Sequence, residues 1–415
     1  MGKGNLELYV HIPFCMKKCN YCDFLSFPAE QKTQEDYIKA LLREIEFYGP
    51  RMRGYGISTI YIGGGTPSWL EEELIARIME EICQQFEVAP DAEITIECNP
   101  GTITKSKLEM YQSVGINRLS IGLQSTYDEE LELLGRIHTY DQFLRNYELA
   151  RSVGYANINV DLISGLPYQT ADKYLNSLKR IIRLKPEHIS AYSLIIEQGT
   201  PFYETYKFDE VLQKAGKKPE MLPEEDETYR MYKMTQYYLA EAGYRQYEIS
   251  NFAKKGYECA HNIGYWTRQN YLGMGLGAAS LIENVRYSNT RDLYEYIDLS
   301  YAICERARRQ FGIEPEDRRY GDPTEWYGSS LHASADEISR KAQMEEFMFL
   351  GLRMNEGVAR ADFQQAFSIP IDVKYREPIE ELKQQGLLMA REGRIFLTDQ
   401  GMDLANYCMA KFLLE

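Results

Sequence analysis

Six short β-rich runs, each followed by a helix-like stretch, set the strongest limit on what this chain can fold into. The runs are LELYVHI, STIYIGG, EITIECN, RLSIGLQ, NINVDLISG and HISAYSLIIE, all within the first 200 residues or so. Between them lie EDYIKALLREIEFYG, EEELIARIMEEICQQF, KSKLEMYQSVG, YDQFLRNYELARSVG and ADKYLNSLKRIIRLK. Strands and helices alternating in this order form a parallel sheet, either doubly wound or curled into a barrel. Five of the runs end in polar residues or glycine: Gly63–Gly65, Glu97, Gln124, Asp161 and Glu197. Groups offered from the ends of many strands suit a β/α barrel, whereas a doubly wound sheet concentrates them at one switch point. The expectation is therefore an α/β fold built on a partial (β/α)6 TIM-like barrel.

The alternation stops near residue 200. The stretch from about Tyr206 to Glu225 is rich in Lys, Glu and Pro and reads as an exposed connection or lid. A helix in DETYRMYKMTQYYLAEAG and a strand-like YEISNFA follow. Beyond Asp336 the pattern changes to two helices and two short strands around the turn REGR, which predicts a C-terminal α+β winged-helix-like domain. The division expected is a barrel over 1–230, a connecting region over 231–335 and the C-terminal domain over 336–415. A chain of 415 residues suits a barrel plus additions. Its net charge of -15 argues against a nucleic-acid partner, because phosphate neutralisation needs a basic face, and the C-terminal unit has no basic recognition helix. MGKGNLELYVHIPF has no long apolar run, so neither a signal peptide nor an integral membrane segment is expected, and the chain reads as cytoplasmic.

Reduced thiols in that compartment make a tight cysteine group more suited to metal or catalysis than to disulfides. Three of the eight cysteines, Cys15, Cys19 and Cys22, lie at C-x3-C-x2-C just past the first strand, on the barrel face where sites form. A structural zinc site closes with four ligands, and an iron–sulfur cubane also usually takes four cysteines. Three would leave one iron open to a small molecule. The spacing alone leaves zinc and such a cluster both open. Cys83, Cys98, Cys259, Cys304 and Cys408 are scattered singly and read as core or neutral residues, Cys259 being notable for its closeness to His261.

The second strand ends in GGGTPSWLEEE, where bare backbone lets a ligand approach closely. Ser68 and Glu71 predict a capping box, and Glu72 and Glu73 add carboxylates to the same first turn. Negative charge there repels a phosphate, and no Lys follows the glycines as a P-loop would require. An amino-acid-like ligand, with an ammonium for the backbone carbonyls, fits better.

The cysteine spacing together with GGGTP is similar to the radical S-adenosylmethionine superfamily. There the open iron chelates the amino and carboxylate groups of S-adenosylmethionine. YVHIPFC, GGGTPS, RLSIGLQS and DLISGLP further resemble the coproporphyrinogen III dehydrogenase family and its HemW-type haem-chaperone relatives. The resemblance implies a [4Fe-4S] cluster on Cys15, Cys19 and Cys22. It places S-adenosylmethionine contacts on Tyr9, Gly64, Gly65, Thr66, Glu97, Gln124, Arg136, Asp161 and Ala279. Tyr21, between the second and third cysteines, could pack against the adenine.

Three features separate the two relatives. The dehydrogenase has a fourth cysteine two residues after the third, where this chain has Asp23 and Phe24. It also carries a long extension before its motif, whereas Cys15 here comes almost at once. Finally, HNIGYW over 261–266 matches the HNxxYW pattern that the resemblance associates with haem. His261, Asn262, Tyr265 and Trp266 are the implied haem residues, with a neutral imidazole offering a lone pair to iron. The implied function is that of a haem chaperone handing haem to respiratory proteins. The alternative is oxygen-independent coproporphyrinogen III dehydrogenation. Peripheral membrane contact and dimer formation are both compatible with the chaperone role.

Overall fold

Leu6, Leu8, Val10 and Ile12 are fully buried on one face of the first strand, β1 (Gly4–Ile12). Glu7, Tyr9 and His11 alternate with them and project from the other face, as the two-residue period of a strand requires. The same alternation repeats on each parallel strand, and it decides the architecture: an apolar outside for helices and a polar inside. Burying the four aliphatic side chains of β1 alone is worth roughly 6–12 kcal/mol before any ordering cost. The computed structural model describes residues 4–311 and 331–414, without the side chains of Ala302 and 304–311. The Cys304 side chain therefore lies outside the described residues.

The chain continues through α1 (Gln31–Tyr48), β2 (Tyr55–Gly64), α2 (Glu72–Gln85), β3 (Glu87–Cys98), α3 (Lys105–Ser113) and β4 (Arg118–Gln124). Next come α4 (Asp128–Leu133), α5 (Tyr140–Val153), β5 (Ile158–Ser164), α6 (Ala171–Leu184) and β6 (His188–Ser193). β1 to β6 pair in sequence order, all parallel. The six strands form the expected partial barrel. Its outer face carries Ile60, Ile62, Ile94, Ile96, Leu119, Ile121, Val160 and Leu162 under the helices.

Two local expectations fail, the first in part, and a third region carries more structure than a bare connection. The first half of the exposed connection or lid expected over 206–225 is instead helical, part of α7 (Pro201–Lys214): Thr200 caps it through Tyr203 N, and Pro201 sits in its first turn. Asp209 then accepts backbone N–H groups of Glu220, Met221 and Leu222, folding the Lys/Pro-rich stretch back onto α7. The capping box at Ser68 and Glu71 does not form either. Residues Pro67–Trp69 make a 3₁₀ turn and α2 starts at Glu72 without a side-chain cap. The Ser68 hydroxyl is instead held by Thr102 Oγ1 at 2.6 Å and Asn99 N at 3.1 Å, so a tertiary contact displaces the local one.

Third, the region 231–335 does more than connect. After α8 (Glu225–Glu241), β7 (Arg245–Gln246) and β8 (Asn251–Ala253) pair antiparallel beside β6. A short helix, α9 (Ala260–Trp266), leads to β9 (Tyr271–Met274), which pairs parallel with β1 on the opposite edge. β10 (Ala279–Ile282), β11 (Val285–Asn289), α10 (Leu293–Phe311) and β12 (His332–Glu337) follow, and β10 to β12 extend the same sheet antiparallel. The glycine-rich turn after β9 is seated by Glu44 of α1, which accepts Gly275 N at 2.8 Å and Asn289 Nδ2 at 2.7 Å.

The C-terminal unit has its own core, with Met348, Phe363, Leu382, Ile395, Cys408 and Phe412 at its centre. It comprises α11 (Arg340–Gly351), β13 (Val358–Ala359), α12 (Arg360–Phe367), α13 (Ile371–Lys374) and α14 (Arg376–Gln384). β14 (Leu388–Arg391), β15 (Arg394–Leu397), α15 (Asp399–Asp403) and α16 (Ala405–Ala410) complete it. The REGR turn joins β14 to β15, with Glu392 and Gly393 both at positive φ as a tight hairpin demands. Among the described residues no helix is long and apolar enough to cross a membrane.

Candidate functional site

The cysteine loop between β1 and α1 is fixed at its base and at its tip. At the base, Cys15 N donates to Phe27 O and Phe27 N to Pro13 O, while the Phe14 ring packs edge-on against Phe27 and Tyr37. At the tip, Asn20 bonds the carbonyls of Leu133 and Leu134 through side chain and backbone, and its own carbonyl accepts Phe202 N. Contacts to elements more than 100 residues away thus hold the three thiols in place. Cys15 is buried; Cys19 and Cys22 are half-buried.

The three cysteines line one cleft with Tyr21, Gly64, Gly65, Thr66, Glu97, Asn99, Ser120, Gln124, Arg136 and Asp161. A Cβ on Gly65 would lie 2.7 Å from Phe14 O and 3.0 Å from Cys15 Sγ, so only glycine lets the second strand's end pass beneath the first cysteine. Thr66 Oγ1 donates to Cys15 Sγ at 3.5 Å, and Arg136 Nη1 to Cys19 Sγ at 3.6 Å. Arg136 also donates to Gly122 O and, at 2.7 Å, to Asn99 Oδ1. Burial pushes the Cys15 and Cys22 thiols above their ordinary pKa, so they need a metal to become thiolates. The donor set fits a cluster whose irons are ligated separately.

Glu97 accepts Gly64 N at 2.9 Å on one oxygen and the Tyr61 hydroxyl at 2.9 Å on the other. Burial raises its carboxyl to about 7. Asp161 is likewise raised by burial and accepts Asn159 Nδ2 at 2.7 Å. Gln124 takes a positive φ of 73°, a conformation uncommon for a side-chain-bearing residue, at the point where β4 leaves the barrel. Eight of the ten residues named for S-adenosylmethionine therefore line the cleft. Tyr9 lies beside it, stacked on Tyr61 and bonded to His11 Nδ1 at 2.9 Å. Ala279 is exposed at the start of β10, against Gly273 of β9. Asn99 was not singled out from the sequence, yet it joins Arg136 to Thr66, donating to Thr66 Oγ1 at 2.7 Å. Its only signal was its place immediately after the third strand.

HNIGYW sits in a different part of the barrel, on α9, against Glu7 of β1, Thr59 and Tyr61 of β2 and Glu93 of β3. His261 is only 1% exposed. Its Nδ1 lies 2.7 Å from Thr59 Oγ1 and its Nε2 3.3 Å from the Tyr265 hydroxyl. Its ring stacks on Tyr61 with centroids 5.2 Å apart. Glu93 accepts Cys259 Sγ and the backbone N–H groups of Ala260 and His261. Burial lowers the imidazole to about 3, so it is neutral, as an iron ligand must be, but both its nitrogens are engaged. The Asn262 side chain is placed against Tyr247, and Trp266 is half-buried with its Nε1 unpartnered. None of the five histidines is exposed: His11, His138, His188 and His261 are buried and His332 is half-buried.

Residues 9–181 match the radical SAM superfamily and residues 338–404 the HemN C-terminal domain. The chain is 39% identical to the heme chaperone HemW of Escherichia coli over 416 residues, which spans 99% of this chain and 98% of that protein. It is 34% identical to heme chaperone HemW of Bacillus subtilis over 408 residues, 98% of this chain and 99% of the relative. It is also 32% identical to the mitochondrial radical S-adenosyl methionine domain-containing protein 1 of Bos taurus, over 94% of this chain and 83% of that one. Among solved structures, coproporphyrinogen III oxidase (HemN) from Escherichia coli, a radical SAM enzyme, superposes with a TM-score of 0.78 at 24% identity. That match covers 99% of this chain and 90% of the other, and the likeness is one of fold.

Proposed function

Because this chain belongs to the radical SAM superfamily and, within it, to the family of the heme chaperone HemW, we propose that it binds haem and hands it to respiratory haem proteins. In this reading Cys15, Cys19 and Cys22 hold a [4Fe-4S] cluster. Tyr9, Tyr21, Gly64, Gly65, Thr66, Glu97, Gln124, Arg136, Asp161 and Ala279 receive S-adenosylmethionine. The observation that carries it is the convergence of three thiols and four ionic or amide side chains from β3, β4, β5 and the loop after α4 on one cleft.

The cluster, when bound, offers a site for the amino and carboxylate groups of S-adenosylmethionine and an electron. The protein's own groups do the rest. In this reading Arg136 pairs with the carboxylate, Glu97 and Asp161 accept from ribose hydroxyls or the ammonium, and the glycines admit the ligand onto bare backbone. Haem is assigned to His261, Asn262, Tyr265 and Trp266, with the imidazole as axial ligand. That assignment requires α9 to move, since neither ring nitrogen is free where it sits.

Anaerobic reconstitution, with iron and sulfide counted and haem titrated on the same sample, tests the whole reading. About four irons and four sulfides with a saturable Soret change are expected. Stoichiometric zinc without acid-labile sulfide would overturn the cluster. Conversion of coproporphyrinogen III to protoporphyrinogen IX in the same sample would replace the chaperone reading with the dehydrogenase one.

A further inference from the structure

The helix that bears HNIGYW is held from two sides, and only one of them is the barrel. On the barrel side, Gly264 lies so close to the Glu7 carboxylate that no side chain fits there. His261 is bonded to Thr59, and Glu93 takes the first N–H groups of the helix. On the other side stands α11, the first helix of the C-terminal unit. Its Glu346 accepts Arg268 Nε at 2.7 Å on one oxygen and Arg286 Nη1 at 2.9 Å on the other. Glu346 and the Arg268 side chain are both largely buried. Arg353, two residues past α11, lays its guanidinium 4.3 Å from the Trp266 ring centroid and pairs with buried Glu248 at 3.6 Å. One segment of the C-terminal unit thus grips the last residue of the motif and the residue two beyond it.

We propose that α11 is a latch: Arg353 on Trp266 and Glu346 on Arg268 hold α9 against the barrel, and His261 becomes available to a porphyrin only when that grip is released. The proposal rests on the assignment of haem to His261. Three features argue for a latch in place of ordinary packing. Both ring nitrogens of the proposed ligand are engaged in the closed arrangement. The aromatic surface that would carry a porphyrin is covered by a cation from another unit. The gripping residues lie away from the cysteine cleft and share none of its lining. A ligand that binds only an open state gains apparent affinity when the closed state loses a contact.

The test uses the full chain with its cluster reconstituted, haemin as the probe, and Arg353→Lys, Arg353→Ala and Glu346→Gln variants. Lysine keeps the pair with Glu248 but loses the flat contact with Trp266, so it serves where alanine does not fold. Stopped-flow Soret changes and amide exchange over 260–268 are read together. Haem association and exchange in α9 are both expected to rise, roughly 3- to 10-fold for loss of one cation–π contact or ion pair, with iron content unchanged. Adding His261→Ala should abolish the gain. Faster exchange with unchanged haem association would overturn the latch, as would unchanged exchange in all three variants. Equal haem affinity of wild type and His261→Ala would instead remove the premise, a failure seen in the unlatched background as well and so distinct from the first.

Discussion

The mouth and the floor of this barrel are built from the same strands and end up with opposite properties. At the mouth, the polar faces of β2 to β5 look into a cleft: Glu97, Gln124 and Asp161 surround open space beneath three thiols. At the floor, the polar faces of β1 to β3 look onto α9, and Glu7, Thr59 and Glu93 are occupied by His261, Gly264 and the first turn of that helix. Alternation gave both ends a polar lining; the return of the chain after β8 covered only one. Tyr61 belongs to both, with its hydroxyl on Glu97 and its ring on His261. The lesson is that a polar inward face leaves open space only where nothing in the chain comes back to fill it.

The sharpest break between the two ends should come from the cysteines. Replacing any one of Cys15, Cys19 or Cys22 by alanine is expected to abolish cluster assembly, read as loss of brown absorbance and of acid-labile sulfide. Amide protection in α9 should not change. Loss of protection in both places would show that the two ends are not independent. Next in size, His261→Ala should weaken haem binding by about tenfold or more, since losing even an outer-shell partner of a metal ligand costs about 10- to 100-fold, while iron and sulfide stay at wild-type levels. Equal haem affinity would count against the floor as the haem site.

Glu97→Gln should weaken S-adenosylmethionine binding about tenfold, a charge-assisted hydrogen bond being worth about 1.5–3 kcal/mol, as measured by calorimetry on the reconstituted protein. Haem affinity unchanged in that variant would confirm that Tyr61 does not transmit the loss; a parallel fall would show that it does.

The smallest effect concerns pH. Burial raises Glu97 to about 7 and Glu7 to about 9, from an ordinary 4.5. A carboxyl raised on folding binds a proton that the unfolded chain has released, so its contribution is full below pH 4.5. It fades as pH climbs toward the folded value. The mouth's share is lost by about pH 7, while the floor's continues to fall to about pH 9. Glu7→Gln should therefore remove the fall in thermal stability between pH 7 and 9, worth a few degrees, and reduce without abolishing the slope between pH 4.5 and 7, where Glu97 still contributes. An unchanged slope above pH 7 would show that Glu7 is ionised in the folded protein.

Much of this was legible in the residues. The β/α alternation, the cysteine triplet and the glycines of GGGTP are local patterns, and each lies where its spacing places it. The residues matched for S-adenosylmethionine come mostly to one cleft because strand ends in a barrel do so whatever their distance along the chain. Asn99 escaped notice because its role is wholly tertiary, joining Thr66 to Arg136. The capping box at Ser68 was a fair local inference, overridden when Asn99 and Thr102 took the hydroxyl. The lid expected near Tyr206 became α7 because Asp209 found backbone partners eleven to thirteen residues later.

The amino-acid order by itself determined the parallel alternation, the polar inward face and a trio of thiols at the end of the first strand, because periodicity and short spacings are properties of contiguous residues. Only the tertiary structure decided which way HNIGYW faces and what holds it there. Those contacts join residue 261 to residues 59 and 61, and residues 266 and 268 to residues 353 and 346. Pairings across such separations depend on where whole elements pack, and no local pattern carries that information.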